Sequence, residues 1–70
     1  MTSKKIKITD DYISLGQFLK VADLIGSGGE AKVFLMNNKV LVNDEKETRR
    51  GRKLYRNDKI RIGKEEYEIC

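Results

Sequence analysis

The run Arg49-Arg50-Gly51-Arg52-Lys53 sets four cations in five residues. Each arginine offers a planar fork of donors that matches phosphate oxygens, and lysine adds a compact charge. Gly51 lets the backbone come close to a partner. Residues of these types at this spacing suit contact with several phosphates at once. Tyr55 follows two residues later, able to stack a base or to pack beside Leu54, packing being the simpler role. The surrounding charge is concentrated. From Arg49 to Lys64 eight basic residues face one acid, Asp58, giving +7; the other seven basic and ten acidic residues give −3. Such segregation marks a polyanion-binding surface, and equally a solvated edge that keeps a small protein in solution.

A second stretch with chemical content is Gly26-Ser27-Gly28-Gly29. Gly26, Gly28 and Ala31 reproduce the G-x-G-x-x-G/A spacing of a dinucleotide loop, but that loop follows a strand within a βαβ unit. Here a helical pattern precedes it, and 70 residues leave no room for the sheet. A P-loop is excluded, because no Gly-Lys-Ser/Thr follows. A simpler reading remains. Glycines in the first turn of a helix leave amide groups uncovered, so the positive helix end can approach a phosphate, with Lys32 adding charge. The same glycines would also let two helices cross closely.

No residue constellation for catalysis is present. The chain has no His, the commonest general base and metal ligand near neutral pH, and one Cys, at position 70. That excludes an internal disulfide and a cysteine-based zinc site. Asp44, Glu45 and Glu47 read as a solvated turn. The expectation is therefore no enzyme, no metal, no cofactor and no small-molecule substrate. With 39% apolar and 37% charged residues, 70 positions build one domain with a small core. No apolar run approaches the ~18 residues of a membrane span. MTSKKIKITDD lacks the apolar stretch of a signal peptide. A monomeric cytoplasmic binding protein is expected, with no membrane partner.

The elements that must position these residues follow from periodicity. Ile6 and Ile8 alternate with Lys5 and Lys7 in a strand over 4–9. Ser14 and Gln17 have capping-box spacing, and Ile13 and Phe18 occupy the staple positions. Leu15, Phe18, Leu19, Ala22 and Ile25 then form one helical stripe, which Gly26 is expected to end. Ser27 and Glu30 repeat the capping-box spacing for a second helix carrying Ala31, Phe34 and Leu35, closed by Asn37 and Asn38. Val40-Leu41-Val42 reads as a strand and Asn43-Asp44 as a turn. Asn57-Asp58 and Gly63-Lys64 bracket Lys59–Ile62, and Tyr67 and Ile69 alternate with Glu66 and Glu68. If the first strand pairs with the last, Glu66 and Glu68 would face Lys5 and Lys7. The Glu-rich last strand is also a candidate docking edge for a protein. The fold class is α+β: two short helices on a small, mostly antiparallel sheet.

The order of these features resembles the RNA-binding domain named after ribosomal protein S-four. The resemblance runs from about Ser14 to Ile62. It rests on the spacing of Leu15, Phe18, Leu19, Gly26, Ser27, Glu30, Ala31, Leu35, Val40, Val42, Asn43, Asp58, Ile60 and Ile62. GSGGEAK and RRGRKLYRNDKI look closest to the small stand-alone (YaaA-like) bacterial members. The resemblance implies the alpha-L RNA-binding motif, with a curled sheet, and one face for structured RNA, ribosomal or transfer RNA, on or off the ribosome. Carried onto this chain, that face comprises Gly28, Gly29, Lys32, Lys39, Asn43, Arg49, Arg50, Arg52 and Lys53. Many members carry a Ser-Arg pair, in a Ser-Arg-x-x-Ala pattern, where this chain has Gly28 and Gly29, followed by Glu30 and Ala31, so one side-chain phosphate contact of the family is absent. Two other readings of the same residues are DNA binding through the basic face and a protein-interaction module.

Overall fold

A computed structural model describes residues 3–70. The order is β1 (Ser3–Ile6), β2 (Tyr12–Ser14), α1 (Leu15–Val21), a 3-10 turn (Gly28–Glu30), α2 (Ala31–Asn37), β3 (Val40–Val42), β4 (Glu45–Lys46), β5 (Lys53–Tyr55), β6 (Lys59–Ile62) and β7 (Glu65–Ile69). Five strands make one sheet in the order β1-β7-β6-β3-β4, and β2 and β5 make a separate two-stranded ribbon. All pairings are antiparallel except β1 with β7. The α+β class with two helices on a mostly antiparallel sheet is as the sequence implies.

Strand alternation decides the two faces of the sheet. Val40, Val42, Ile60, Tyr67 and Ile69 point inward and are buried, while Arg61 and Glu68 lie between them on the outer face. The helices cover the inner face. Phe18 of α1 meets Tyr67 edge-on, ring centroids 5.2 Å apart, and Leu15, Leu19, Ala31 and Leu35 complete the core. Among the described residues, thirteen apolar side chains form this cluster, with Ile6, Ile8, Ala22, Leu24, Phe34 and Ile62 packed at its margin.

The start of α1 is as read. The Ser14 hydroxyl accepts from the Gln17 amide, and the Gln17 side chain accepts from the Ser14 amide. Its end differs. α1 stops at Val21, not at Gly26, because Asp23 takes the left-handed conformation (φ 63). Leu24 N–H then reaches the Leu19 carbonyl and Asp23 N–H the Lys20 carbonyl, a Schellman closure with Asp in the glycine position. Apolar spacing carried the predicted stripe past this point, since Ala22 and Ile25 still reach the core from the following loop.

The start of α2 differs too. Ser27 makes no side-chain cap, and Glu30 reaches back to the Gly26 amide at 3.2 Å rather than to Ser27. Asn38 closes α2 in an extended conformation, its side-chain amide donating to the Phe34 carbonyl. The left-handed asparagines are Asn43 (φ 52), between β3 and β4, and Asn57 (φ 79), between β5 and β6. Asn43 and Asp44 (φ 71) together make the two-residue turn between β3 and β4.

Two strand expectations are corrected. The parallel register sets Lys5 opposite Glu68, as expected, but Ser3 opposite Glu66, and β1 ends before Lys7. The Glu-rich β7 is no free edge, because β1 and β6 pair with its two sides. The edges of the sheet are β1 and β4. Among the described residues, no helix is long and apolar enough to cross a membrane.

Candidate nucleic-acid interface

The loop between β4 and β5 carries the dense cations, and three contacts fix it. Leu15 N–H donates to the Arg52 carbonyl and Gly16 N–H to the Arg50 carbonyl, both at 2.8 Å. The loop therefore satisfies the two leading amides of α1, and Ser14 satisfies the next. Glu47 N–H donates to the Val40 carbonyl at 2.9 Å, tying the loop to the start of β3. Gly16 shows how near these elements come to one another. A Cβ on it would sit 3.4 Å from the Arg50 carbonyl, 3.5 Å from Arg50 Cβ and 3.7 Å from Ala31 Cβ. The basic loop, α1 and the start of α2 thus converge on one position.

Glu47 organises the loop from within. Its side chain is 6% exposed, so the expected solvated turn acid is instead buried. One carboxylate oxygen accepts from the amides of Thr48 and Arg49 and from Arg49 Nε, at 3.0–3.1 Å. The other accepts from Arg52 Nη1 at 2.8 Å and Arg49 Nη2 at 3.3 Å. The Arg49 side-chain bond is the largest influence holding the Glu47 carboxyl at about 2, against the usual 4.5, in opposition to its burial. The same pairing raises the Arg49 guanidinium. A buried carboxylate is stable only with such compensation. Five residues, Glu47, Arg49, Arg50, Arg52 and Lys53, therefore carry four positive charges and one negative, a net +3.

Each predicted contact has its place. Arg49 is held by Glu47, yet its side chain is 76% exposed. Arg52 is held more deeply, at 29%. Arg50 is exposed and, among the described residues, makes no ion pair. Lys53 Nζ lies 4.8 Å from the centre of the Tyr12 ring. Lys32 is exposed on α2, beside Ala31, which reaches the convergence at Gly16. Gly28 and Gly29 are exposed, and a Cβ on either would meet nothing within 4 Å. Lys39 is exposed immediately before Val40, where Glu47 attaches. Asn43 lies at the far end of β3, and its amide is engaged internally: Nδ2 donates to Asp58 at 3.1 Å, and Oδ1 accepts from Lys59 N–H at 3.0 Å.

The +7 stretch is not one surface. Arg61 pairs with Glu66 and Lys59 opposes Glu68 on the outer face of the sheet, whereas Arg56 donates to the Ile8 carbonyl. The run 49–53, by contrast, meets α1 directly, through the Arg50 and Arg52 carbonyls. Sequence reading missed Glu47 and Tyr12. The signal for Glu47 was an acid two and five residues ahead of arginines. Tyr12 gave none, since β2 is three residues long and pairs across 40 positions with β5. Tyr55 is half exposed, not in the core, because it faces outward beside Leu54, which faces in.

With this geometry in view, the similarities to known proteins are specific. The chain is 60% identical over 57 residues to "Probable ribosome maturation protein RlbA" of Bacillus subtilis (strain 168), a match covering 81% of this chain and 80% of that protein. The family model described as the S4 domain matches residues 6–70, wider at both ends than the 14–62 read from motifs. The chain belongs to the S4 domain family.

Proposed function

We propose that this protein is a non-enzymatic binder of structured RNA in the cytoplasm, with ribosomal RNA or an assembling ribosomal particle as its target. The observation that carries the reading is the basic loop tied by backbone hydrogen bonds to α1 and β3, with Arg50 and Lys53 unneutralised among the described residues. Arg49, Arg50, Arg52 and Lys53 contact phosphates, and Lys32, Lys39, Gly28 and Gly29 extend the face along α2. Asn43 serves by fixing the β3–β4 turn. The name of the Bacillus relative supports the link to ribosome maturation. Shape and phosphate spacing carry recognition, because side chains cannot read the deep groove of paired RNA. Competition between an RNA hairpin and a DNA duplex of the same length at matched salt tests the reading. Preference for RNA is expected; equal or stronger binding of DNA contradicts it.

A second reading, a protein-interaction module, draws on α2, where Val33 (57%) and Met36 (76%) are exposed one turn apart. A partner retained after nuclease treatment and at high salt, and lost in Met36→Glu, would favour it.

A further inference from the structure

The ribbon of β2 and β5 has two unlike faces. Ile13 and Leu54 are register partners on its inner face and are buried. Tyr12 and Tyr55 are register partners on its outer face, 44% and 49% exposed. Their rings stand 5.9 Å apart, tilted by 55°. The third tyrosine, Tyr67, is spent in the core against Phe18. A chain with so few aromatic residues thus leaves two side by side in water.

Their surroundings are cationic. Lys53 covers the Tyr12 ring. Tyr55 borders an open cleft of about 520 Å³ whose other walls are Arg49, Gly51, Arg52 and Lys53. The Tyr55 backbone is held at both polar groups, its N–H donating to the Asp58 carboxylate at 2.8 Å and its carbonyl accepting from Asp58 N–H at 3.0 Å. A half-exposed aromatic ring on a tethered backbone, among basic side chains, has the composition of a stacking site for an unpaired base. Duplex RNA hides its base faces, so such a ring is useful only where a strand is bulged or looped.

We propose that Tyr55 stacks one unpaired nucleobase of the bound RNA, with Tyr12 buttressing its ring and Arg52 and Lys53 taking the adjoining phosphates. This rests on the RNA-binding reading above and adds to it a preference for a bulged or looped strand.

Two RNA hairpins that differ by a single bulged nucleotide, the bulge being 4-thiouridine, test it with the full chain at fixed salt. The parent is expected to bind the bulged hairpin about tenfold more tightly, in line with alanine substitutions of stacking aromatics. Its photo-crosslink should map to Tyr55. Tyr55→Ala, checked for folding by circular dichroism, should bind both hairpins equally, and Tyr55→Phe should keep the preference. Equal binding of the two hairpins by the parent, a preference that survives Tyr55→Ala, or a crosslink confined to other segments would overturn the stacking site while leaving RNA binding intact. A folded parent that binds neither hairpin would overturn the RNA reading, and the stacking site with it.

Discussion

The Glu47 carboxylate accepts a hydrogen bond from Arg52 Nη1 at 2.8 Å, and this part-buried pair sets the shape of the basic loop. Arg49 closes the same carboxylate from the solvent side through two nitrogens. One acid thus holds two cations that would otherwise repel each other. It leaves Arg50 and Lys53 outside the pairing, on a backbone already ordered before a partner arrives. Order of this kind lowers the conformational cost of binding.

Glu47→Gln keeps the shape of the side chain but leaves Arg52, which is mostly covered, without its countercharge. Loss of one partner from a buried charge pair leaves the other uncompensated. The variant should be less stable by about 2 kcal/mol, discounted from the buried-pair range because Arg49 is exposed. Urea unfolding monitored by circular dichroism measures it. An unchanged midpoint would remove Glu47 from its role.

Acid should act through the same group. The folded Glu47 carboxyl titrates at about 2 against an ordinary value of 4.5, so its contribution is complete above about 4.5. It falls as pH drops through that range and is gone below about 2. The parent should lose about 2 kcal/mol more than Glu47→Gln between pH 6 and pH 2, after discounting for the exposure of Arg49. Parallel stability curves for the two proteins over that range would contradict the assignment.

Gly16 should tolerate alanine and not valine. The added Cβ of alanine meets the Arg50 carbonyl at 3.4 Å, an ordinary contact. The branched methyls of valine have no such room between Arg50 and Ala31. Gly16→Val should cost about 1–3 kcal/mol, as overpacking does, and should weaken RNA binding by displacing the loop. Thermal unfolding and a binding titration on the two variants check both halves.

Asn43→Ala should reveal a turn residue. It removes two hydrogen bonds and places a non-glycine, non-asparagine residue at φ 52. A loss of about 2 kcal/mol in stability is expected. RNA affinity, measured on folded protein, should stay within about twofold, since that change is only a few tenths of a kcal/mol. A larger affinity loss with stability intact would make Asn43 a direct contact.

Much of this fold is legible in the residues, and the failures share a cause. Local signals held: the Ser14–Gln17 cap, the Asn43-Asp44 turn and the β6–β7 hairpin need only neighbours in sequence. Features set by distant chain were not legible. The β2–β5 ribbon joins three-residue strands 40 positions apart, and while the pairing of the first strand with the last could be raised from the sequence, its parallel register could not. The basic run itself was plain, but its partition was not. Whether an arginine is paired or free depends on whether an acid such as Glu47 is buried beside it, and burial is a property of the assembled core. The end of α1 shows the same limit in miniature, since Asp23 supplied the left-handed turn that Gly26 was expected to make.

In the proposed function, the exposed cations of the Arg49–Lys53 loop bind RNA phosphates. Arg50→Ala/Lys53→Ala tests it most directly, because neither side chain is engaged by Glu47, so the loop's internal pairing is left alone. Affinity for one structured RNA is measured across a salt series for parent and variant. Each lost phosphate contact should flatten the slope of log K against log salt by about 0.7–0.9, so a reduction of about 1.5 is expected, with weaker binding at low salt. Equal affinity and an unchanged slope in the folded variant would contradict the account.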